Sequence, residues 1–281
     1  MPKLIVPSDS AMPNLSREAQ VARASQALIL ASFLSALGFN FVFPLIPLYV
    51  REIAGTGPET AIWAGLAFGA TPLAGAFAAP FWGSMADRVG YRPMLLRALA
   101  CTSIIIGVTG LPNAPWQLVA LRGLAGALGS FQAVAMGALS SWNRPADLSR
   151  FISRLQMAQV LGTVVGPILG GGVAALYGIR FSPLAGGVVI AIGVVLVARW
   201  LHEPAGRTAK LRGADQPLKP SLIWLPVVTL VAVQFTDASF NPILPLLLAQ
   251  GTGNASVAAG LSGTAASLSA AAAAIGSAVA G

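Results

Sequence analysis

Long apolar runs, each close to the length that crosses a bilayer, constrain this chain more than any other feature. A helix needs about 20 mostly apolar residues to span a hydrocarbon core roughly 30 Å thick. By that measure the sequence predicts eight spans, at 27–50, 61–84, 94–111, 116–140, 155–177, 181–199, 222–248 and 258–281. Only 9% of the residues are charged, against about 25% in a typical soluble domain. Solvated side chains therefore cannot cover a globule, and most of the outer surface must face lipid. The fold class expected is an all-α membrane protein, a multi-span helical bundle. The first run is too long, and its flanks too polar, for a cleaved signal peptide.

The basic residues set an orientation. Lys3, Arg17 and Arg23 lie in the leading tail; Arg88, Arg92 and Arg97 fall at the second link, and Arg144, Arg150 and Arg154 at the fourth. The sixth link holds Arg199, Arg207, Lys210, Arg212 and Lys219, while the odd links hold only Arg51 and Arg180. Such alternation places the N-terminus and the even links in the cytoplasm. It also assigns the net charge of +8 to membrane topology rather than to nucleic acid, because no basic stripe with interleaved aromatics is present. One cysteine, Cys101, and one histidine, His202, leave no His/Cys metal cluster. No catalytic residue and no cofactor are expected, since His202 has no nucleophile arrangement nearby.

The stretch FPLIPLYV, ending at Val50, returns as NPILPLLL, ending at Leu248, so that Pro44 and Pro47 match Pro242 and Pro245. GLAFGATPLAGA from Gly65 is echoed by GLSGTAASLSAA from Gly260. An internal duplication follows, of the kind that marks transporters. The expected organisation is a cytoplasmic tail at 1–26, a six-helix bundle at 27–200, a cytoplasmic linker at 201–220 and the first two spans of a second bundle at 221–281. Four further helices would complete the second half, so the chain reads as a fragment covering about two-thirds of the whole.

Between the second and third runs lies GSMADRVGYRPM, Gly83 to Met94. As chemistry it is a tight turn. Gly83 permits close helix approach, Gly90 permits a positive φ, and Pro93 suits the first turn of a helix. Arg88 and Arg92 hold the link inside, and Asp87 can pair with an arginine or a helix N-terminus. Any inside loop needs basic residues, but the order G-x-x-x-D-R-x-G-x-R resembles the signature loop of the major facilitator superfamily. Gly83, Asp87, Arg88, Gly90 and Arg92 match that pattern, while Met85 and Tyr91 replace its usual leucine and basic residue. The resemblance implies a gating loop, with Asp87 contacting a helix of the other half.

Two more elements agree. In LVALRGLAG, Arg122 and Gly126 resemble the superfamily's R-x-x-x-G element, which implies a part in proton transfer. An arginine at a span centre costs about 2.5–3.5 kcal/mol to insert, and snorkelling towards Trp116 is the plainer alternative. In VLGTVVGPILGGG, Gly162, Gly166 and Gly170 recur every four residues and line one helix face. Pro167 removes a backbone hydrogen bond beside them. Gly162, Gly166, Pro167, Gly170 and Gly171 match the superfamily's antiporter signature, and the resemblance implies export. The overall expectation is a major facilitator type helical bundle, a six-span N-terminal half plus an incomplete second half.

Asp237 is the single acid inside a predicted span. Desolvation raises a buried carboxyl's pKa, so it suits proton exchange near neutral pH; a structural role is the alternative. Asn40, Gln132, Gln234 and Asn241 are substrate-binding candidates, with Gln156 and Gln159 as further polar positions, and each could instead join helices by hydrogen bonds. Phe39, Phe41 and Phe43 are spread around their helix and are expected against lipid or neighbouring helices.

The function expected is a proton-coupled secondary transporter exporting small amphipathic compounds by alternating access. No Walker loop appears, which argues against direct ATP drive. A sugar or metabolite exporter of the same fold, or a chain with no transport of its own, are the alternatives. The partners expected are the lipid bilayer, protons and a small-molecule substrate, with no nucleic acid, and the protein is expected as a monomer. Its Ala- and Gly-rich composition and short loops suit a bacterial plasma (inner) membrane.

Overall fold

The computed structural model describes residues 17–57 and 59–203, with Thr264, Ser267 and Leu268 as isolated positions. The described residues are helical throughout, with no strand among them. Helix α1 covers Arg17–Asn40, and a single 3-10 turn at Phe43–Leu45 leads into α2, Ile46–Ala54. They are followed by α3 (Glu59–Val89), α4 (Tyr91–Val108), α5 (Pro115–Gly129), α6 (Phe131–Trp142), α7 (Pro145–Tyr177) and α8 (Phe181–Trp200). By length and composition these make six candidate membrane spans, with α1–α2 and α5–α6 each forming one.

Each of the first six predicted runs lies within or largely over one of these spans. Three details differ from the expectation. Helix α1 begins at Arg17, inside the predicted tail, because the helix continues beyond its apolar stretch through polar residues that water can solvate. The first span is broken after Asn40, where Pro44 and Pro47 follow and cannot donate backbone hydrogen bonds. The third correction concerns the charged link. Gly83, Asp87 and Arg88 continue α3 to Val89, and Arg92 already belongs to α4, so Gly90 alone makes the turn. Its φ of 109° is open to glycine and strained for other residues.

The helices pack crosswise. Spans one to three form one triplet and spans four to six another. The first helix of each triplet packs on the middle helix of the other: α1 lies along α7, and α5 lies along α3. The third helices, α4 and α8, meet each other, and α1 also packs on α8. This exchange is what a two-fold relation between the triplets produces, as in nested inverted repeats.

Glycines allow the crossings. A Cβ on Gly162 would stand 2.8 Å from Ala36 Cβ and from backbone atoms of Phe33 and Leu37. One on Gly166 would stand 2.7 Å from Asn40 Cβ, and one on Gly170 would run into the Phe41 backbone. All three positions, with Pro167 and Gly171, are buried. The equivalent seam between α3 and α5 holds Gly126 against the Thr71 backbone. Side chains reinforce it: Thr71 Oγ1 donates to Arg122 O at 3.0 Å, and Trp82 Nε1 donates to Ala127 O at 2.6 Å.

Candidate functional site

The fourth span is broken at Ser130, which adopts φ 30° and ψ 17°, the one left-handed non-glycine residue among those described. Gly129 ends α5 and Phe131 begins α6, so helical hydrogen bonding is interrupted within the span. Such discontinuities leave backbone polar groups open inside a membrane protein and recur at transporter binding sites.

Around this break the fourth span carries three polar side chains without hydrogen-bond partners among the described residues. Arg122 is 1% exposed, and its Nε, Nη1 and Nη2 are all unpartnered; so are Ser130 Oγ and both polar atoms of Gln132. The Arg122 guanidinium lies 5.5 Å from the centroid of the Phe39 ring, on α1. It is buried within the bundle and not on its outer surface. A buried guanidinium without a hydrogen-bonding neighbour is costly in hydrocarbon, so this position calls for an anion, water or a titrating partner.

A second cation lies nearby in the sequence of helices. Arg97, on α4, stacks over the Trp82 ring of α3 at 3.5 Å, and its three guanidinium nitrogens are buried without hydrogen-bond partners among the described residues. Sequence reasoning counted Arg97 only as a basic residue of the link. Its place inside the run 94–111 was the available signal; nothing in the sequence tied it to Trp82.

At the charged turn, Asp87 accepts a 2.6 Å hydrogen bond from the Tyr91 hydroxyl, one helical turn along the chain. Tyr91 also meets Trp142 edge-on, with centroids 5.9 Å apart. The Tyr91 N–H, at the start of α4, donates to Glu203 Oε1 at 3.3 Å, and Arg92 Nη2 donates to Ala198 O at 2.8 Å. The turn is thus tied to the end of α8 and to the first residues after it. A Cβ on Gly83 meets nothing within 4 Å among the described residues, so the close approach expected there is not made within this half.

Asn40 donates through Nδ2 to Ala36 O at 2.8 Å, within its own helix, and it faces Gly166 across the α1–α7 seam. Phe43 meets Phe68 edge-on at 4.8 Å, and Phe41 is buried. Gln156 is exposed and Gln159 half-buried. Asp237, Gln234 and Asn241, together with the spans expected at 222–248 and 258–281, lie outside the described residues. The broken fourth span thus carries Arg122 on α5 and Gln132 on α6, and Asn40 sits at the α1–α7 seam.

Comparison with known proteins agrees with this architecture. The family model of the Major Facilitator Superfamily matches residues 28–281. The chain is 34% identical over 242 residues to the multidrug resistance protein MdtG of Escherichia coli O17:K52:H18 (strain UMN026 / ExPEC), covering 83% of this chain and 59% of that protein. It is 36% identical, with the same coverage, to MdtG of Escherichia coli strain SMS-3-5 / SECEC. It thus spans 59% of the length of these curated relatives.

Two solved structures share the fold. The human organic anion transporter MFSD10 (TETRAN) matches with a TM-score of 0.59 at 19% identity, over 66% of this chain and 48% of that one. A D-xylose–proton symporter matches with a TM-score of 0.55 at 13% identity, over 91% of this chain and 66% of that one. Membrane-length helices, the crosswise bundle and the matched sequence lead to one conclusion: this multi-pass membrane chain belongs to the Major Facilitator Superfamily.

Proposed function

We propose that this chain acts in a proton-coupled exporter of small amphipathic compounds, working by alternating access. The observation that carries the reading is the broken fourth span, where polar side-chain atoms of Arg122, Ser130 and Gln132 are buried without hydrogen-bond partners among the described residues. A fixed buried cation favours the ionised form of any acid that approaches it and releases that proton. Asp237 is the acid we assign to that exchange. Substrate binding is assigned to Gln132 and Asn40, with Gln234 and Asn241 from the second half. The glycine face of α7, at Gly162, Gly166 and Gly170, supports the antiport direction through its motif, and the likeness to multidrug resistance proteins supports a broad substrate range.

The turn at Gly90 serves as the cytoplasmic gate hinge in this reading, with Asp87, Arg88 and Arg92 beside it. The tail and even links face the cytoplasm of a bacterial inner membrane, following the basic residues. Uptake of several cationic dyes and several sugars into everted vesicles containing the full-length protein tests the proposal. Broad, proton-gradient-dependent dye movement that stops in R122Q is the expected result. Movement of one sugar alone, or dye movement indifferent to the gradient, would replace it with metabolite transport or an uncoupled pathway.

A further inference from the structure

A cavity of about 770 Å³ opens on the side of the bundle between α4 and α8, away from the broken fourth span. Glycine makes its floor. A Cβ on Gly187 would stand 2.8 Å from Gly107 Cα, and Ser103 Oγ donates to Gly187 O at 2.8 Å. With the backbones this close, Ile104, Leu111, Leu184 and Val188 stand exposed as its walls. Along α8 the groove follows the chain from Arg180 to Ala191, roughly 16 Å at 1.5 Å per residue. That is close to half of a hydrocarbon core roughly 30 Å thick, so the groove is one leaflet deep.

Its mouth is polar and electrically paired. Arg180 donates through Nε to Glu52 Oε1 at 2.8 Å and through Nη1 to Asn113 Oδ1 at 3.2 Å. The hydrogen bond to Glu52 raises the guanidinium pKa above its usual value. Both partners of the ion pair are more than two-fifths exposed, so each can take another contact. This end lies across the membrane from the Gly90 turn.

We propose that the groove seats one acyl chain of a phospholipid whose zwitterionic headgroup ends in a primary ammonium. The phosphate sits on Arg180 and the ammonium on Glu52. Charge complementarity selects this occupant. A neutral arginine–glutamate pair matches a headgroup carrying one charge of each sign. An anionic glycerol headgroup leaves Glu52 beside a phosphate, and a quaternary ammonium has no N–H to donate to it. The proposal rests on the membrane-spanning fold and is independent of what is transported.

Native mass spectrometry of the purified full-length protein tests it, by titration with phosphatidylethanolamine, phosphatidylglycerol and phosphatidylcholine of identical chains. The wild type is expected to hold phosphatidylethanolamine at least about threefold more tightly than the other two, the size of one exposed ionic contact. E52Q should erase the advantage over phosphatidylcholine, and R180Q should weaken all three. V188W, at an exposed wall position, should obstruct the groove and weaken all three without touching the polar mouth. Equal affinity for the three lipids, a preference for phosphatidylglycerol, a preference that survives V188W, or a dimer in place of lipid adducts would each overturn the proposal.

Discussion

Gly170→Ala tests the α1–α7 seam most directly. The added Cβ would lie 2.5 Å from Phe41 Cα and 2.7 Å from the Phe41 carbonyl carbon, with the Phe41 oxygen also in the way. These are backbone atoms and cannot rotate aside. Ordinary carbon contacts lie at about 3.5–4.0 Å, so the two helices must part by roughly 1 Å. The same carbonyl accepts a 2.9 Å hydrogen bond from Ser182 Oγ, which binds the displacement to α8 as well. Overpacking of this kind costs about 1–3 kcal/mol, offset by up to about 1 kcal/mol of helix propensity gained on replacing glycine. A clash with backbone falls in the upper part of that range, and the resulting net loss of about 1–2 kcal/mol corresponds to a Tm lower by about 2–8 °C on the scale of a domain this size. Intrinsic tryptophan fluorescence during heating of the purified protein measures it. Gly172→Ala is the matched control, since its Cβ meets nothing within 4 Å among the described residues; it should hold or raise the Tm. If G170A melts with or above the wild type, the close approach of α1 to α7 is refuted.

Other substitutions probe separate elements. Gly90→Ala forces a side chain onto φ 109° and is expected to cost about 1–3 kcal/mol in thermal unfolding; an unchanged Tm would contradict the one-residue turn. Tyr91→Phe removes the hydrogen bond to Asp87 while keeping the ring against Trp142, for a loss of about 0.5–1.5 kcal/mol by the same measurement. Arg122→Leu should keep or raise the Tm, because an unpartnered buried charge is replaced by an apolar side chain, while gradient-driven efflux by the full-length protein is lost. A large drop in Tm would instead give Arg122 a structural role. The Glu18–Arg144 pair is more than two-thirds exposed on both sides, so E18Q should shift stability by less than about 1 kcal/mol, and the shift should shrink as salt is added.

The first six spans were legible because hydrocarbon thickness imposes a length on apolar runs, and nothing in the lipid core relaxes it. The turn at Gly90 was legible in kind, since glycine followed closely by proline marks a chain reversal, but its shortness was not. Helical propensity carried α3 through Asp87 and Arg88, charged residues that sequence reasoning placed in a loop. Glycines spaced by four pointed to a close helix crossing, yet only tertiary structure names α1 as the partner. The break at Ser130 left little trace in GALGSFQAV, because a single left-handed residue depends on the neighbouring helices holding it. The Arg97–Trp82 stack was equally hidden, since a contact between two spans carries no pattern within either.

The crosswise packing also dictates an order of assembly. Phe33 to Phe41 of the first span meet Gly162 to Gly170 on α7, a partner made roughly 130 residues later in synthesis. Until that fifth crossing emerges, the first helix has no matching glycine surface on which to close. The half-bundle therefore cannot condense helix by helix as it leaves the ribosome. The α1–α7 seam closes only after the fifth span has been made.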